Sequence, residues 1–161
     1  MNIRIQENLK ELYEKDYIEW VDKNIELLKS KEYDSVDWEN LLEEIQDMGK
    51  QVTREAISYL SVILEHLYKL DNFRQEEKVG KGWIKSILNS RNELLDLFED
   101  NPSLEKKLPE QLDKAWKKAV RKLEVWLFEN DRISEVSNIP KECPYTYEEA
   151  INRAFKLLIN I

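Results

Sequence analysis

The sequence predicts an all-α protein, a single-domain helical bundle of about four main helices with an irregular strap and a C-terminal helix. Apolar residues recur at spacings of three and four along most of the 161 residues, and no run alternates as a strand would. Only 3 glycines and 4 prolines interrupt these patterns. A chain of this length fits one domain, so residues 1–161 are expected to fold as a single helical domain.

The first predicted helix begins after Asp16 and extends to about Ser30, following an apolar helical pattern. Asp16 and Glu19 together resemble a capping box at its start. The longest helical pattern follows, from Asp37, the predicted N-cap, to Leu70. It stays in phase across a glycine, so one helix is predicted. On a wheel of about 100° per residue, one apolar sector is expected to face the core. Its members are Trp38, Leu41, Ile45, Val52, Ala56, Tyr59, Ile63, Leu67 and Leu70.

The second half of the chain continues with a loop over residues 71–82 and a third helix from Trp83 to about Asp100. Asn101-Pro102 indicates a cap followed by a short helical turn. The next long helix is predicted from Pro109 to about Asn130.

The remaining residues begin with an apolar but irregular stretch over 131–145, which contains two prolines and is expected to lie over the bundle as a strap. Thr146 and Glu149 then form a capping box that opens a last helix, to about Leu158.

A few ionisable side chains fall beside or inside the predicted apolar faces. On the central helix, Glu44, Glu55 and His66 are eleven residues apart and form a polar seam. Arg91 lies within the apolar stripe of the third helix. Because an unpaired buried charge costs several kcal/mol, we predict an ion pair between Arg91 and Glu44 or its neighbour Glu43.

This predicted polar set, Glu43, Glu44, His66 and Arg91, has two interpretations. The pair fixes helix register and does nothing more, or the groups line a site for a small polar ligand. In the second case His66 is the general acid or base, Arg91 holds an anion, and Glu44 orients Arg91.

A basic face is predicted on the fourth helix, opposite its apolar stripe. It is either an ordinary solvated surface or a docking surface for an acidic partner or a nucleic-acid backbone. Aromatic side chains for base stacking are not evident beside it, which makes nucleic acid an unlikely partner. Its members are Lys114, Lys117, Lys118, Arg121 and Lys122.

Composition excludes several classes of function. The net charge of −8 argues against broad attraction to nucleic acid or anionic lipid. One cysteine and one histidine cannot build a usual disulfide or structural zinc site, so no metal and no cofactor are predicted. Cys143 is expected to be a small buried hydrophobe in the strap. No apolar run approaches the roughly 20 residues of a membrane span, and the first 17 residues carry charges, so a cytoplasmic location is expected.

Several short motifs are spread over almost the whole chain. They are Tyr13 to Tyr17 with Trp20, Asn40 to Ile45 with Met48 and Gly49, His66 to Lys69, Trp83 with Ile87 and Arg91, Pro102 to Leu104, and Pro140 with Cys143 to Tyr145. Together these motifs resemble a bacterial and cyanobacterial family, domain-of-unknown-function family twenty-nine, from about residue 13 to residue 155. One departure is Asn101, where the family usually carries serine. The resemblance implies an all-helical fold and no established activity, cofactor or catalytic residue.

Two functions from different classes follow. The first is a non-enzymatic accessory module that binds a protein partner or a second copy of itself, since no nucleophile–base pair, metal set or cofactor loop is evident in the sequence. The second is an enzyme or small-ligand binder that uses the Glu/Arg/His set.

Overall fold

A computed structural model describes residues 3–74 and 80–156, and within these ranges it contains helices and no strand. The all-α prediction is confirmed. Short 3-10 segments lie at Tyr33–Ser35, Leu108–Gln111 and Ile133–Asn138. The α-helices are α1 (Ile3–Lys15), α2 (Tyr17–Lys29), α3 (Trp38–Asn72), α4 (Lys81–Asp100), α5 (Pro102–Lys107), α6 (Leu112–Glu129) and α7 (Tyr147–Asn152).

The backbone contacts divide the chain into two compact units, unit 1 over residues 1–51 and unit 2 over residues 52–161. The boundary falls inside α3, so each unit contains part of that helix. A single domain over residues 1–161 stays a prediction, and the two units are described separately below.

The capping signals in the sequence correspond to observed hydrogen bonds. Asp16 accepts one from the backbone N–H of Glu19 at 3.0 Å. Thr146 and Glu149 each accept from the other's backbone N–H at 3.1 Å, which is the predicted capping box. The predicted end of the last helix near Leu158 lies outside the described residues, but α7 already ends at Asn152.

Unit 1 is organised around the start of α3. Asp37 is 2% exposed and accepts hydrogen bonds from the Trp20 indole at 3.0 Å and from the Asn40 amide at 2.7 Å. The Asn24 side-chain oxygen accepts from the Asp37 backbone N–H at 3.0 Å. The predicted N-cap is therefore also a buried junction that joins α2 to the first turn of α3.

The core of unit 2 lies between α3, α4 and α6. The strap packs on it through Val136 and Ile139. The Trp116 indole donates to the carbonyl of Pro140 at 3.0 Å. Cys143, which was predicted to be buried in the strap, is only half-buried. The leucines and isoleucines of this core that are at most 1% exposed are Leu60, Ile63, Leu64, Leu67, Ile87, Leu94, Leu108, Leu123 and Leu127.

Part of the predicted apolar sector does not face a core. Ala56, Ile63 and Leu67 of α3 are fully buried as expected. Trp38 and Ile45, however, are 44% and 55% exposed, so their assignment to the core is wrong. The periodicity shows that these residues share one helix face, but it carries no information on whether another element covers that face.

Candidate functional site

Arg91 has partners of a kind that the sequence did not suggest. Its guanidinium donates to the carbonyls of Ala150 and Arg153, both at 2.9 Å, and to that of Glu149 at 3.4 Å. It also lies 5.3 Å from the centre of the Phe155 ring. The last carbonyls of a helix lack intrahelical partners and carry its negative dipole end, so a cation at the end of α7 is well placed.

Glu44 is held by two tyrosines within unit 1. It accepts hydrogen bonds from the hydroxyls of Tyr13 at 2.6 Å and Tyr17 at 2.8 Å, and these bonds lower its pKa. Its neighbour Glu43 is exposed. Within its own unit, Arg91 binds carbonyls and Glu44 binds phenols. The ion pair of Arg91 with Glu44 or Glu43 would join the two units, and it stays a prediction.

His66 binds its own helix. Its Nδ1 lies 2.7 Å from the carbonyl of Val62, which can only accept, so Nδ1 carries a proton and in the neutral ring Nε2 carries the lone pair. Burial lowers the pKa of His66. The hydrogen bond to Val62 and the Glu65 carboxylate oppose this, whereas the nearby ammonium groups of Lys69 and Lys122 add to it, and the net effect is a lowered pKa. The imidazole is therefore held in its neutral form to lower pH than a free histidine.

The adjacent residue, Glu65, forms a buried ion pair that the sequence analysis missed. Its carboxylate accepts from the Lys69 ammonium at 2.8 Å, and the two side chains are 10% and 6% exposed. The Lys69 nitrogen also lies 4.9 Å from the centre of the Trp126 ring. A signal was present, because Glu65 and Lys69 are four apart in a stretch where nearly every neighbour is apolar.

The residues of the predicted basic face on α6 lie in two different environments. Lys114, Lys117 and Arg121 are exposed. Lys118 and Lys122 are only partly exposed, and their ammonium groups donate to the hydroxyls of Ser58 and Ser61 on α3, the second at 3.2 Å.

These two lysines therefore belong with His66 and the buried pair. We call the ionisable residues Glu65, His66, Lys69, Lys118 and Lys122, together with Ser58 and Ser61, the lysine–histidine cluster. The structure thus joins one member of the predicted polar set to two members of the predicted basic face.

A second polar group lies at the end of α3 in unit 2. Arg153 binds both carboxylate oxygens of Asp71, at 2.7 and 2.8 Å, and the Tyr145 hydroxyl donates to the same carboxylate at 2.7 Å. Burial alone would raise the pKa of Asp71, but the bonds from Arg153 and Tyr145 outweigh it and lower that pKa. An open cleft of about 730 Å³ borders this group, but its three side chains already bind one another.

Unit 1 presents an apolar surface on α3. We call it the α3 apolar face and define it by Trp38, Leu42, Ile45 and Met48, which are 44%, 55%, 55% and 66% exposed. At about 100° per residue the four positions fall within an arc of about 120°. Large apolar side chains exposed together, rather than singly, are typical of interaction surfaces.

The charge of the chain is concentrated in the same unit. Residues 1–51 hold 7 lysines and arginines against 14 aspartates and glutamates, a net charge of −7 out of −8 for the whole chain. Unit 2 is almost neutral overall. The α3 apolar face is thus an apolar surface on a strongly acidic unit.

Comparison with known proteins identifies the family. A model for the domain of unknown function DUF29 matches residues 12–156. The chain belongs to the DUF29 family. No curated protein and no solved structure matches it. The DUF29 match covers both units, so the lysine–histidine cluster and the α3 apolar face both lie within the family region.

Among the residues that the structure describes, no three histidine, cysteine or acidic side chains lie close enough together to hold a metal ion. In that same part of the chain, no helix combines the length and the apolarity needed to cross a membrane.

Proposed function

We propose that this DUF29 protein is a protein-interaction module that binds a basic amphipathic helix of another protein on the α3 apolar face. The observation that carries the proposal is the exposure of four large apolar side chains on one face of one helix. An amphipathic partner helix matches such a face, because its own apolar residues recur at the same spacing.

The charge around the face selects the kind of partner. Residues 1–51 carry a net charge of −7, so the unit that bears the face is strongly acidic. A helix that also carries lysines and arginines meets this unit with opposite net charge, which favours the encounter and its specificity. A second copy of the chain would bring another net charge of −7 to the contact and is disfavoured, as are nucleic acid and anionic lipid.

The enzymatic alternative has less support. It required Glu44, Arg91 and His66 to act together, but each of them binds partners outside that set. A polar site made of these three residues is therefore not the function that the geometry favours.

The experiment uses two labelled peptides of about 20 residues with the same leucines at helical spacing, one with lysines and one with glutamates at the other positions. Fluorescence anisotropy measures their binding to the full chain. We expect the basic peptide to bind at least about tenfold more tightly, and Ile45→Ser with Met48→Ser to weaken that binding about tenfold or more. The same substitutions at Val125 and Phe128, which are 57% and 69% exposed in unit 2, are the matched control.

Equal weakening by the control pair, or equal binding of both peptides, would show that the α3 apolar face is not the site. Sedimentation of the chain alone tests the other occupant. If the chain forms a stable dimer and the variant Ile45→Ser with Met48→Ser does not, the partner on the α3 apolar face is a second copy of the chain and not a basic helix.

A further inference from the structure

The lysine–histidine cluster holds more positive than negative charge. Lys69, Lys118 and Lys122 contribute three ammonium groups, and Glu65 contributes one carboxylate. That carboxylate is committed to Lys69 at 2.8 Å. Among the residues that the structure describes, neither Lys118 nor Lys122 has a carboxylate within ion-pair distance.

The serine partners satisfy one donor of each lysine but leave its charge in place. The Ser58 and Ser61 hydroxyls donate their own protons to the carbonyls of Arg54 at 2.9 Å and Ser58 at 2.7 Å. They therefore accept from the ammonium groups as neutral oxygens. Since an ammonium has three N–H donors, donors remain on both lysines after these bonds.

The position of the two lysines makes the excess charge costly. Burial lowers the pKa of Lys122, and the ammonium groups of Lys118 and Lys69 lower it further, although the Glu65 carboxylate opposes this. Residues four apart on a helix have their Cβ atoms roughly 5–6 Å apart, so Lys118 and Lys122 are neighbours. An anion between them would remove the repulsion and use the free donors.

We propose that the lysine–histidine cluster binds a compact oxyanion of the phosphate class, either free phosphate or the phosphate group of a small molecule. The charge supports this class over a carboxylate. The three ammonium groups and one carboxylate leave an excess of two, and a phosphate monoester carries about −1.5 to −2 near pH 7. Lys118 and Lys122 supply the donors, Ser58 and Ser61 hold the two ammonium groups in place, and the buried pair of Glu65 with Lys69 lies near Lys122. The site is separate from the α3 apolar face and does not depend on its function.

His66 provides a direct probe of anion binding. It is the single histidine of the chain, so its ring protons give one assignable set of NMR signals when the protein carries no histidine tag. The pKa of His66 is measured in inorganic phosphate, in glycerol phosphate and in acetate, all at one ionic strength. We expect both phosphates to raise it by roughly half a unit relative to acetate, since the bound anion offsets the ammonium groups. A response to glycerol phosphate alone would assign the site to an organic phosphate, and a response to inorganic phosphate alone to the free ion.

Variants test the lysines. Lys122→Gln should raise the pKa of His66 without any anion and abolish the response to phosphate, and Lys118→Gln should weaken that response. Lys117→Gln is the matched control, because it removes the same charge from an exposed position on α6 and should change neither result.

Three results would overturn the proposal. The first is that phosphate moves the His66 signal no further than acetate does in the wild-type chain, a measurement that requires no variant to fold. The second is a full phosphate response in Lys118→Gln with Lys122→Gln, once circular dichroism has shown the helices intact. The third is a phosphate response that is lost equally in Lys117→Gln.

Discussion

The two parts of α3 have the same apolar periodicity and opposite environments. From residue 56 to residue 70 the helix is buried on nearly every side, including Glu65 and Lys69. The first fourteen residues, from Trp38 to Gln51, contain no buried side chain and lie in the acidic unit. Helical periodicity therefore identifies a face, whereas burial depends on which other elements reach that face.

The largest expected contrast between the two parts concerns their glutamates. Glu65→Leu leaves the Lys69 ammonium buried and without its carboxylate, and should lower the free energy of unfolding by about 3–5 kcal/mol. Glu44→Gln changes a more accessible group, so the expected loss is below about 1 kcal/mol. Urea denaturation followed by circular dichroism measures both. Glu65→Leu combined with Lys69→Met should recover most of the loss, and an equal loss in the double variant would contradict this account.

A matched pair of leucines tests the contrast for apolar side chains. Leu60→Ala empties a fully buried position and should cost about 3 kcal/mol. Leu42→Ala removes the same atoms from a side chain that is 55% exposed, and should change stability by less than about 0.5 kcal/mol. Urea denaturation of the two variants gives the comparison. A cost at Leu42 as large as that at Leu60 would mean that the first part of α3 is covered after all.

The smallest expected effect concerns pH. The pKa of Asp71 is lowered in the folded chain, so its bonds to Arg153 and Tyr145 stabilise the fold above the carboxyl's unfolded pKa of about 3.9 and are lost as pH falls through the folded value. Because the pair is partly exposed, the effect should be about 0.5–1 kcal/mol.

The measurement for this prediction is stability against pH for the wild-type chain and Asp71→Asn. The two curves should differ at pH 7 and converge towards pH 2. Asp47→Asn, in the first part of α3 and paired with Lys50 only at 4.0 Å, should follow the wild-type curve throughout. A constant difference between the wild-type and Asp71→Asn curves would show that the carboxylate charge is not what stabilises this contact.

The fold was largely predictable because its signals are local. Asp16, Asp37 and Thr146 each cap a helix through groups three residues away in the sequence, and apolar spacing gives the helices between them. The early end of α7 was not predictable in this way, since the carbonyls at that end bind Arg91 from 58 to 62 residues away.

The candidate site was predictable only in part, and for a related reason. A wheel showed that Arg91 points inward, but every residue has a carbonyl, so composition could not identify its acceptors. The five cations of the basic face cover an arc of about 140° on the wheel. Those at one edge, Lys118 and Lys122, therefore reach α3, and the others remain in solvent. The angular position of these two lysines could be predicted from the sequence, whereas their hydrogen-bond partners, Ser58 and Ser61, could not.

The bonds from Arg91 to the end of α7 also bear on the order in which the chain folds. A six-residue helix is far shorter than the roughly 12–15 residues that an isolated helix needs in water. Helix α7 therefore depends on the guanidinium of Arg91, and α4, which carries Arg91, must already be in position. We expect α7 to form late and to be the first helix of unit 2 to open in native-state hydrogen exchange, well before the central turns of α3 and α6.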